Sequence, residues 1–225
     1  MTTLPSRQTV VDLCIHLSRL GHLAGTGGNI ALRIDAALIA VTPSATDYLT
    51  MSAADVCVLR LADLAQVEGQ RTPSVESGLH ARVLRARPDV QCSIHTHQPI
   101  ASAWALLGQP LEVPPGPLQA SLGPSIPVVG YAPSGTGWLS AKLGRALRRD
   151  TNAYLMFNHG VLCCGGTTAA AVQAVEDLEA LARAQLHARI AARAAREPAR
   201  RAALWRVAKL LDGRSSPDLH APPTP

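Results

Sequence analysis

Two histidines separated by a single residue, His95 and His97, lie at the end of a run of alternating apolar residues. Side chains two positions apart on a β-strand point to the same face, so these two imidazoles can reach a single point. A third histidine, His159, follows in a later apolar segment, and Glu76 precedes the pair on a predicted helix. Three imidazole nitrogens with a carboxylate or a water are typical of a catalytic zinc site with one exchangeable position. Taken alone, however, a His-x-His pair is more often structural, since histidine is commonly partly buried.

The elements that must position these residues follow from hydrophobic periodicity and from turn residues. Helices are predicted over 7–20, 75–87, 99–107 and 138–149, and from 167 onward with an interruption at Pro198. Strands are predicted over 30–34, 38–41, 56–61, 90–97, 126–131, 153–158 and 161–164. Segment 66–72 is predicted to be a polar loop, and segment 111–127 an irregular functional loop. Hairpins of strands followed by helices indicate an α/β domain with a largely antiparallel sheet flanked by helices.

Two other groups near the histidines have more than one interpretation. Glu76 and His80 lie four apart on a predicted helix and are therefore neighbours on one face. We expect His80 to pair with Glu76 or to pack beside it rather than to bind metal. The glycine cluster at 25–29 lets the backbone approach a ligand and offers N–H groups to an anion. Taken alone, this cluster is better explained as a tight turn between a helix and a strand.

Composition excludes several classes of protein. The chain has 225 residues, 47% of them hydrophobic and 3% aromatic, which predicts one domain of ordinary size with an aliphatic core. No apolar run reaches the roughly 18 residues needed to span a membrane, and residues 1–8 lack a signal-peptide pattern. The five cysteines lack the spacing of a disulfide framework. We therefore expect a reduced, cytoplasmic protein that is not bound to a membrane.

The net charge of +5 is concentrated at the C-terminal end. From residue 182 onward there are nine Lys or Arg against three Asp or Glu, so this part carries +6 and the first 181 residues carry −1. The basic residues alternate mainly with alanine rather than with base-reading side chains, which favours a solvated helix face over nucleic-acid binding. We expect a domain over 1–195, followed over 196–225 by a basic helix and a Pro-rich, partly disordered tail.

Five segments, taken together, resemble the class II aldolase/adducin family. They occur in the family's order and spacing and span roughly residues 7–195; they are Gly25-Thr26-Gly27-Gly28-Asn29, Val41-Thr42-Pro43-Ser44, Pro73-Ser74-Val75-Glu76, His95-Thr96-His97 and Asn158-His159-Gly160. The set is far more specific than any single motif. The family's enzymes include sugar-phosphate aldolases and a 4-epimerase.

The resemblance implies a fold, an assembly and a site. The fold would be an αβα sandwich with a central, largely antiparallel sheet, assembled as a homotetramer with active sites at subunit interfaces. A divalent metal, usually zinc, would be held by His95, His97 and His159. Glu76 would ligate the empty metal or act as the catalytic proton-transfer base. The residues that would bind the substrate, through its phosphate in the aldolases, are Gly28, Asn29, Ser44 and Ser74.

Two positions depart from the family pattern in the phosphate pocket. Ala45 stands where the aldolases have glycine, and Val75 stands where they have a second serine. A hydrogen bond to a charged group contributes roughly 1.5–3 kcal/mol, so losing a donor weakens phosphate binding. The tyrosine that serves as an acid in the aldolases also has no evident counterpart, and Tyr131 and Glu112 are the alternatives.

The resemblance implies a zinc-dependent lyase of the aldolase type. Such an enzyme would cleave or form a C–C bond in a small hydroxy-carbonyl compound or sugar phosphate, through an enediolate held by the metal. A metal-dependent decarboxylase, dehydratase or 4-epimerase on the same scaffold is the alternative. A non-catalytic scaffold resembling the adducin head is less favoured, because a binding module has no use for three histidines and Glu76 together.

Overall fold

A computed structural model describes residues 2–23 and 27–213, with side chains as far as residue 211. The helices are α1 Leu4–Arg19, α2 Ser77–Ala86, α3 Pro99–Ala105, α4 Pro117–Leu122, α5 Gly137–Ala146, α6 Thr168–Arg196 and α7 Arg201–Gly213, with a 3-10 turn at Pro198–Arg200. The strands are β1 Asn29–Arg33, β2 Leu38–Val41, β3 Cys57–Arg60, β4 Gln66–Glu68, β5 Cys92–Thr96, β6 Leu111–Glu112, β7 Ser125–Ile126, β8 Val128–Val129, β9 Ala153–Met156 and β10 Gly160–Gly165. Residues 214–225, which include the Pro-rich part of the tail predicted to be partly disordered, lie outside the described residues.

The main sheet has eight strands in the order β4-β3-β2-β1-β5-β10-β9-β8. Every neighbouring pair is antiparallel except β8 and β9, which are parallel. The prediction of a largely antiparallel sheet is therefore confirmed. Strand β5, which carries the first histidine of the pair, lies in the middle of the sheet between β1 and β10. Its register places His95 opposite Asn29 on one side and opposite Leu162 on the other.

Helices cover both faces of this sheet, because the central strands carry apolar residues on both sides. Ala31, Ile39 and Leu59 belong to the buried cluster that includes Leu79 of α2 and Leu143 of α5. The residues that alternate with them along each strand are also buried, and they point to the opposite face of the sheet. Helices α1 and α3 contact the strands of the sheet there. The observed layering is the expected α/β arrangement of a sheet flanked by helices.

Two segments predicted to be loops contain regular structure. Segment 66–72 contributes β4, which pairs with β3 and is exposed along its length. This edge strand lacks the apolar alternation by which strands are recognised. Segment 111–127 contains β6 and β7, which pair with each other, and the helix α4 between them. Pro117 is the first residue of that helix, a position where proline is favoured. From the sequence alone, the prolines of this segment instead suggest a loop.

The chain divides into two compact units, the first ending at Glu179 and the second beginning at Ala180. In the second unit, Ile190, Ala194 and Ala208 are buried. Helix α6 ends at Arg196, shortly before Pro198, as the proline predicts. The domain boundary expected at 195 stays a prediction. Within the residues that the structure covers, no helix is both long and apolar enough to cross a membrane.

Candidate metal and substrate site

The three histidines singled out by the sequence converge at the end of β5. One nitrogen from each of His95, His97 and His159 lies within 4.8 Å of the others. The Nε2 atoms of His95 and His97 are 3.0 Å apart, and the ring centroids of His95 and His159 are separated by 4.9 Å. The strand ends at Thr96, so His97 stands just beyond it and is exposed, while His95 is fully buried. The structure thus brings together all three candidate ligands.

A tight hairpin carries His159 to this position. The turn between β9 and β10 places Asn158 in the left-handed region, with φ +54°, and the His159 N–H donates to the carbonyl of Met156 at 3.1 Å. Asparagine tolerates this conformation better than most residues. Gly160 follows at a point of close approach, because a Cβ there would lie 2.6 Å from Cδ2 of His97. A glycine after His159 therefore lets the hairpin pack directly against the other two rings.

The hydrogen bond between His95 and Val161 determines which ring nitrogen of His95 has a lone pair available. Its Nδ1 lies 2.7 Å from the backbone carbonyl of Val161, which can only accept, so Nδ1 carries the proton. Burial lowers the pKa of His95 to about 3 although the nearby Glu76 carboxylate raises it, so the ring is neutral. Its Nε2 then presents a lone pair. This is the tautomer that a metal-binding histidine takes when its other nitrogen donates to a carbonyl.

Glu76 lies beside the histidines at the residue that precedes α2. The sequence placed it on the helix, whereas the structure places it at the N-cap, in a non-helical conformation. Its Oε1 is 3.0 Å from Nε2 of His159, and its Oε2 is 3.3 Å from Nε2 of His95. Burial tends to raise the pKa of Glu76, but the hydrogen bonds that the carboxylate accepts from His159 and Asn29 outweigh it. The pKa is lowered, so the carboxylate is ionised.

The donor set fits a divalent cation. The lone pair of His95 Nε2 lies 3.3 Å from Oε2 of the Glu76 carboxylate, which also only accepts. Acceptor atoms that meet in this way repel one another unless a proton or a cation lies between them. Three imidazole nitrogens and an adjacent carboxylate suit zinc and related metals.

His80 does not form a side-chain pair with Glu76, the first of the two expected arrangements, and it is not a member of the histidine cluster. Its Nε2 lies 2.7 Å from Oδ1 of Asn29, and its Nδ1 lies 2.8 Å from Oγ of Ser93. Asn29 in turn donates from Nδ2 to Oε2 of Glu76 at 2.9 Å. The helical spacing of four correctly brought His80 near Glu76, but Asn29 on the adjacent strand reaches between them.

A cavity of about 160 Å³ opens in front of Glu76. It is lined by all four predicted substrate-binding residues, Gly28, Asn29, Ser44 and Ser74, and by the departing positions Ala45 and Val75. Paired loops hold this wall together: Ser74 N–H donates to Thr42 O, and Ser44 N–H donates to Thr72 O. The first residues of the glycine cluster, 25 and 26, lie outside the described residues.

Ser134 is a cavity residue that the sequence did not indicate. Its hydroxyl donates to Oε1 of Glu76 at 2.8 Å. It belongs to no recognised motif and reaches the site from the loop before α5, so only the fold brings it there. The two alternatives for the proton donor, Tyr131 and Glu112, are not among the described residues that line this cavity.

Ala45 carries backbone strain, which gives a first prediction. Its φ of +48° is a left-handed conformation that costs a residue with a Cβ about 1–2 kcal/mol. Replacing it with glycine removes that strain but increases the entropy of the unfolded chain by about 0.4–1 kcal/mol. We expect Ala45→Gly to raise the free energy of unfolding by about 0.5–1 kcal/mol, measured by urea denaturation. Ala36→Gly, at an exposed alanine without positive φ, should lower the free energy of unfolding. Equal changes in the two variants would contradict the presence of backbone strain at Ala45.

Comparisons with known proteins identify the family of the chain. The family model described as Class II Aldolase and Adducin N-terminal domain matches residues 8–186. A 5-deoxy-D-ribulose 1-phosphate aldolase of Bacillus thuringiensis serovar kurstaki is 33% identical over 77% of this chain and 80% of its own length. The L-fuculose phosphate aldolase of Escherichia coli K12 is 27% identical over 79% of this chain and 80% of its own.

A solved structure of L-fuculose 1-phosphate aldolase aligns with a TM-score of 0.75 and 29% identity, covering 81% of this chain and 85% of that one. The sheet, the order of the motifs and the family match all extend over the region that holds the histidine cluster. The chain therefore belongs to the class II aldolase and adducin N-terminal domain family.

Proposed function

We propose that this protein is a metal-dependent lyase of the aldolase type, with zinc as the metal. The observation that carries the proposal is the convergence of three imidazole nitrogens beside an ionised, buried carboxylate. His95, His97 and His159 would hold the ion. A divalent cation there would act as a Lewis acid that polarises a substrate carbonyl. The names of the relatives, which are aldolases of sugar phosphates, support C–C bond cleavage over decarboxylation, dehydration or epimerisation.

Proton transfer, positioning of the carboxylate and substrate binding are assigned to other residues of the chain. Glu76 takes or returns the proton, since its carboxylate is ionised and borders the cavity. Asn29 and Ser134 hold that carboxylate with hydrogen bonds to its two oxygens. Gly28, Ser44 and Ser74 line the wall where the far end of a substrate would lie. Substrate would be a small hydroxy-carbonyl compound of the sugar type, with or without phosphate.

The experiment that tests this function combines metal analysis with a substrate panel. We expect the purified protein to contain about one zinc per chain and to cleave at least one member of a panel of phosphorylated and unphosphorylated ketoses. A chelator should remove the activity, and added zinc should restore it. Release of carbon dioxide from β-keto acids, or epimerisation without cleavage, would instead favour the alternative chemistry. A metal-free protein that turns over none of these compounds would favour the scaffold interpretation.

Val75 provides a test of whether the substrate is phosphorylated. Its side chain lines the cavity and is 66% exposed, at a position where the family's aldolases carry a hydroxyl. We expect Val75→Ser to tighten the binding of inorganic phosphate by about tenfold, because a donor to a charged group contributes at least about 1.5 kcal/mol. The affinity of each variant for inorganic phosphate is measured by isothermal titration calorimetry. Val67→Ser, at an exposed valine on β4, should leave phosphate affinity unchanged; unchanged affinity in Val75→Ser as well would place the anion elsewhere.

The protein is further proposed to act as a homotetramer in the cytoplasm. Large apolar side chains are exposed, among them Trp138 at 75% and Val75, which lines the cavity, at 66%, and such groups suit a subunit contact. Five unpaired cysteines fit a reducing compartment. Light scattering should give four times the chain mass of 23.6 kDa.

A further inference from the structure

Buried polar side chains form a chain of hydrogen bonds that ends on Glu76. Ser93 Oγ lies 2.8 Å from His80 Nδ1, and His80 Nε2 lies 2.7 Å from Asn29 Oδ1. Asn29 Nδ2 completes the chain, 2.9 Å from Glu76 Oε2. Each of these side chains is at most 7% exposed. They come from β5, α2, β1 and the residue before α2, so tertiary packing, rather than local sequence, brings them together.

The direction of every bond in this chain follows from what each group can donate. An ionised carboxylate only accepts, so Asn29 must turn its amide nitrogen toward Glu76 and its carbonyl oxygen toward His80. A carbonyl oxygen also only accepts, so His80 must donate from Nε2. Burial lowers the pKa of His80 to about 4, which leaves one proton on the ring at neutral pH. Its Nδ1 therefore accepts from the hydroxyl of Ser93, and all donors point toward Glu76.

We propose that His80, as the neutral tautomer with its proton on Nε2, is a positioning residue that holds Asn29 in the orientation that donates to Glu76. The inference rests on the proposed function, in which Glu76 transfers a proton. The Nε2 donor distinguishes the oxygen end of the Asn29 amide from its nitrogen end. If that donor is lost, the buried carbonyl oxygen of Asn29 has no partner, and the amide is held only by its bond to the carboxylate. Asn29 is then less firmly placed, and Glu76 loses the fixed geometry that proton transfer requires.

The tautomer can be measured without any substrate. In the full-length protein labelled with ¹⁵N-histidine, long-range proton–nitrogen correlation spectra separate the two neutral tautomers from the imidazolium. Comparison with a His80→Gln sample assigns the His80 signals. We expect a neutral ring protonated on Nε2 between pH 6 and 8. A ring protonated on Nδ1, or on both nitrogens, at pH 7 would overturn the proposal, whatever the enzyme's activity.

Two variants separate positioning from a merely structural role. Glutamine can place its amide nitrogen near the position of Nε2 and donate to Asn29, whereas leucine fills the space without a donor. We expect His80→Leu to lower kcat by about 10- to 100-fold, the usual effect of a lost outer partner, with KM within about threefold of the wild type. His80→Gln should recover most of this loss.

Full kcat in His80→Leu, or an equal loss in both folded variants, would contradict the proposal. If no substrate is turned over by the wild type, the proposed function fails, while the spectra still decide the tautomer of His80. The two failures are thus distinguishable.

Discussion

Replacing His95 with alanine is expected to abolish both zinc binding and turnover. His95 is the one fully buried member of the cluster, and its bond to the Val161 carbonyl leaves Nε2 as a ready ligand. Losing one of three protein ligands leaves the cation too weakly held, and Lewis-acid polarisation supplies several kcal/mol of stabilisation in enzymes of this kind. We expect kcat to fall by about 10³-fold or more, with less than about 0.1 zinc per chain by mass spectrometry of the metal.

A matched control for this variant is His16→Ala. His16 is exposed on α1 and lies outside the cluster, so both zinc content and kcat should match those of the wild type. Circular dichroism must show that His95→Ala retains its secondary structure. A folded His95→Ala protein that keeps full zinc and full turnover would refute the metal site, and the lyase proposal with it.

Local periodicity predicted the elements that carry the site. The alternation before His95 placed it on a strand, and the apolar segments on either side of His159 predicted the hairpin that presents it. Strand pairing, however, is a long-range property. Only the register of β5 against β1 shows that Asn29 stands opposite His95, and no spacing in the sequence contains that information.

The parts of the site that sequence could not predict come from loops and from contacts between distant elements. Ser134 bonds Glu76 from 58 positions away, and His80 reaches Asn29 across 51. Helical spacing correctly made His80 a neighbour of Glu76 but could not show that an amide from the sheet lies between them. The error at Glu76, expected within the helix, is instead local, because a helix end is defined by backbone dihedrals rather than by residue pattern.

Glu76→Gln is expected to remove catalysis while leaving the metal in place. Glutamine keeps the size of the side chain and can still accept from Asn29, but its amide cannot take a proton from carbon or oxygen at neutral pH. General acid–base catalysis contributes about 10²- to 10⁴-fold, so kcat should fall within that range while zinc content stays near that of the wild type.

The pattern of loss distinguishes this role from a structural one. Glu179 is a matched control, since it is 7% exposed where Glu76 is 5%, and its carboxylate accepts from the N–H groups of Ile100 and Ala101 at the start of α3. Glu179→Gln should lower the melting temperature with little change in kcat. Glu76→Gln should lower kcat with little change in the melting temperature. If Glu76→Gln instead lost zinc together with activity, Glu76 would be a ligand that the cation requires. Retention of full activity would assign the proton transfer to a different group.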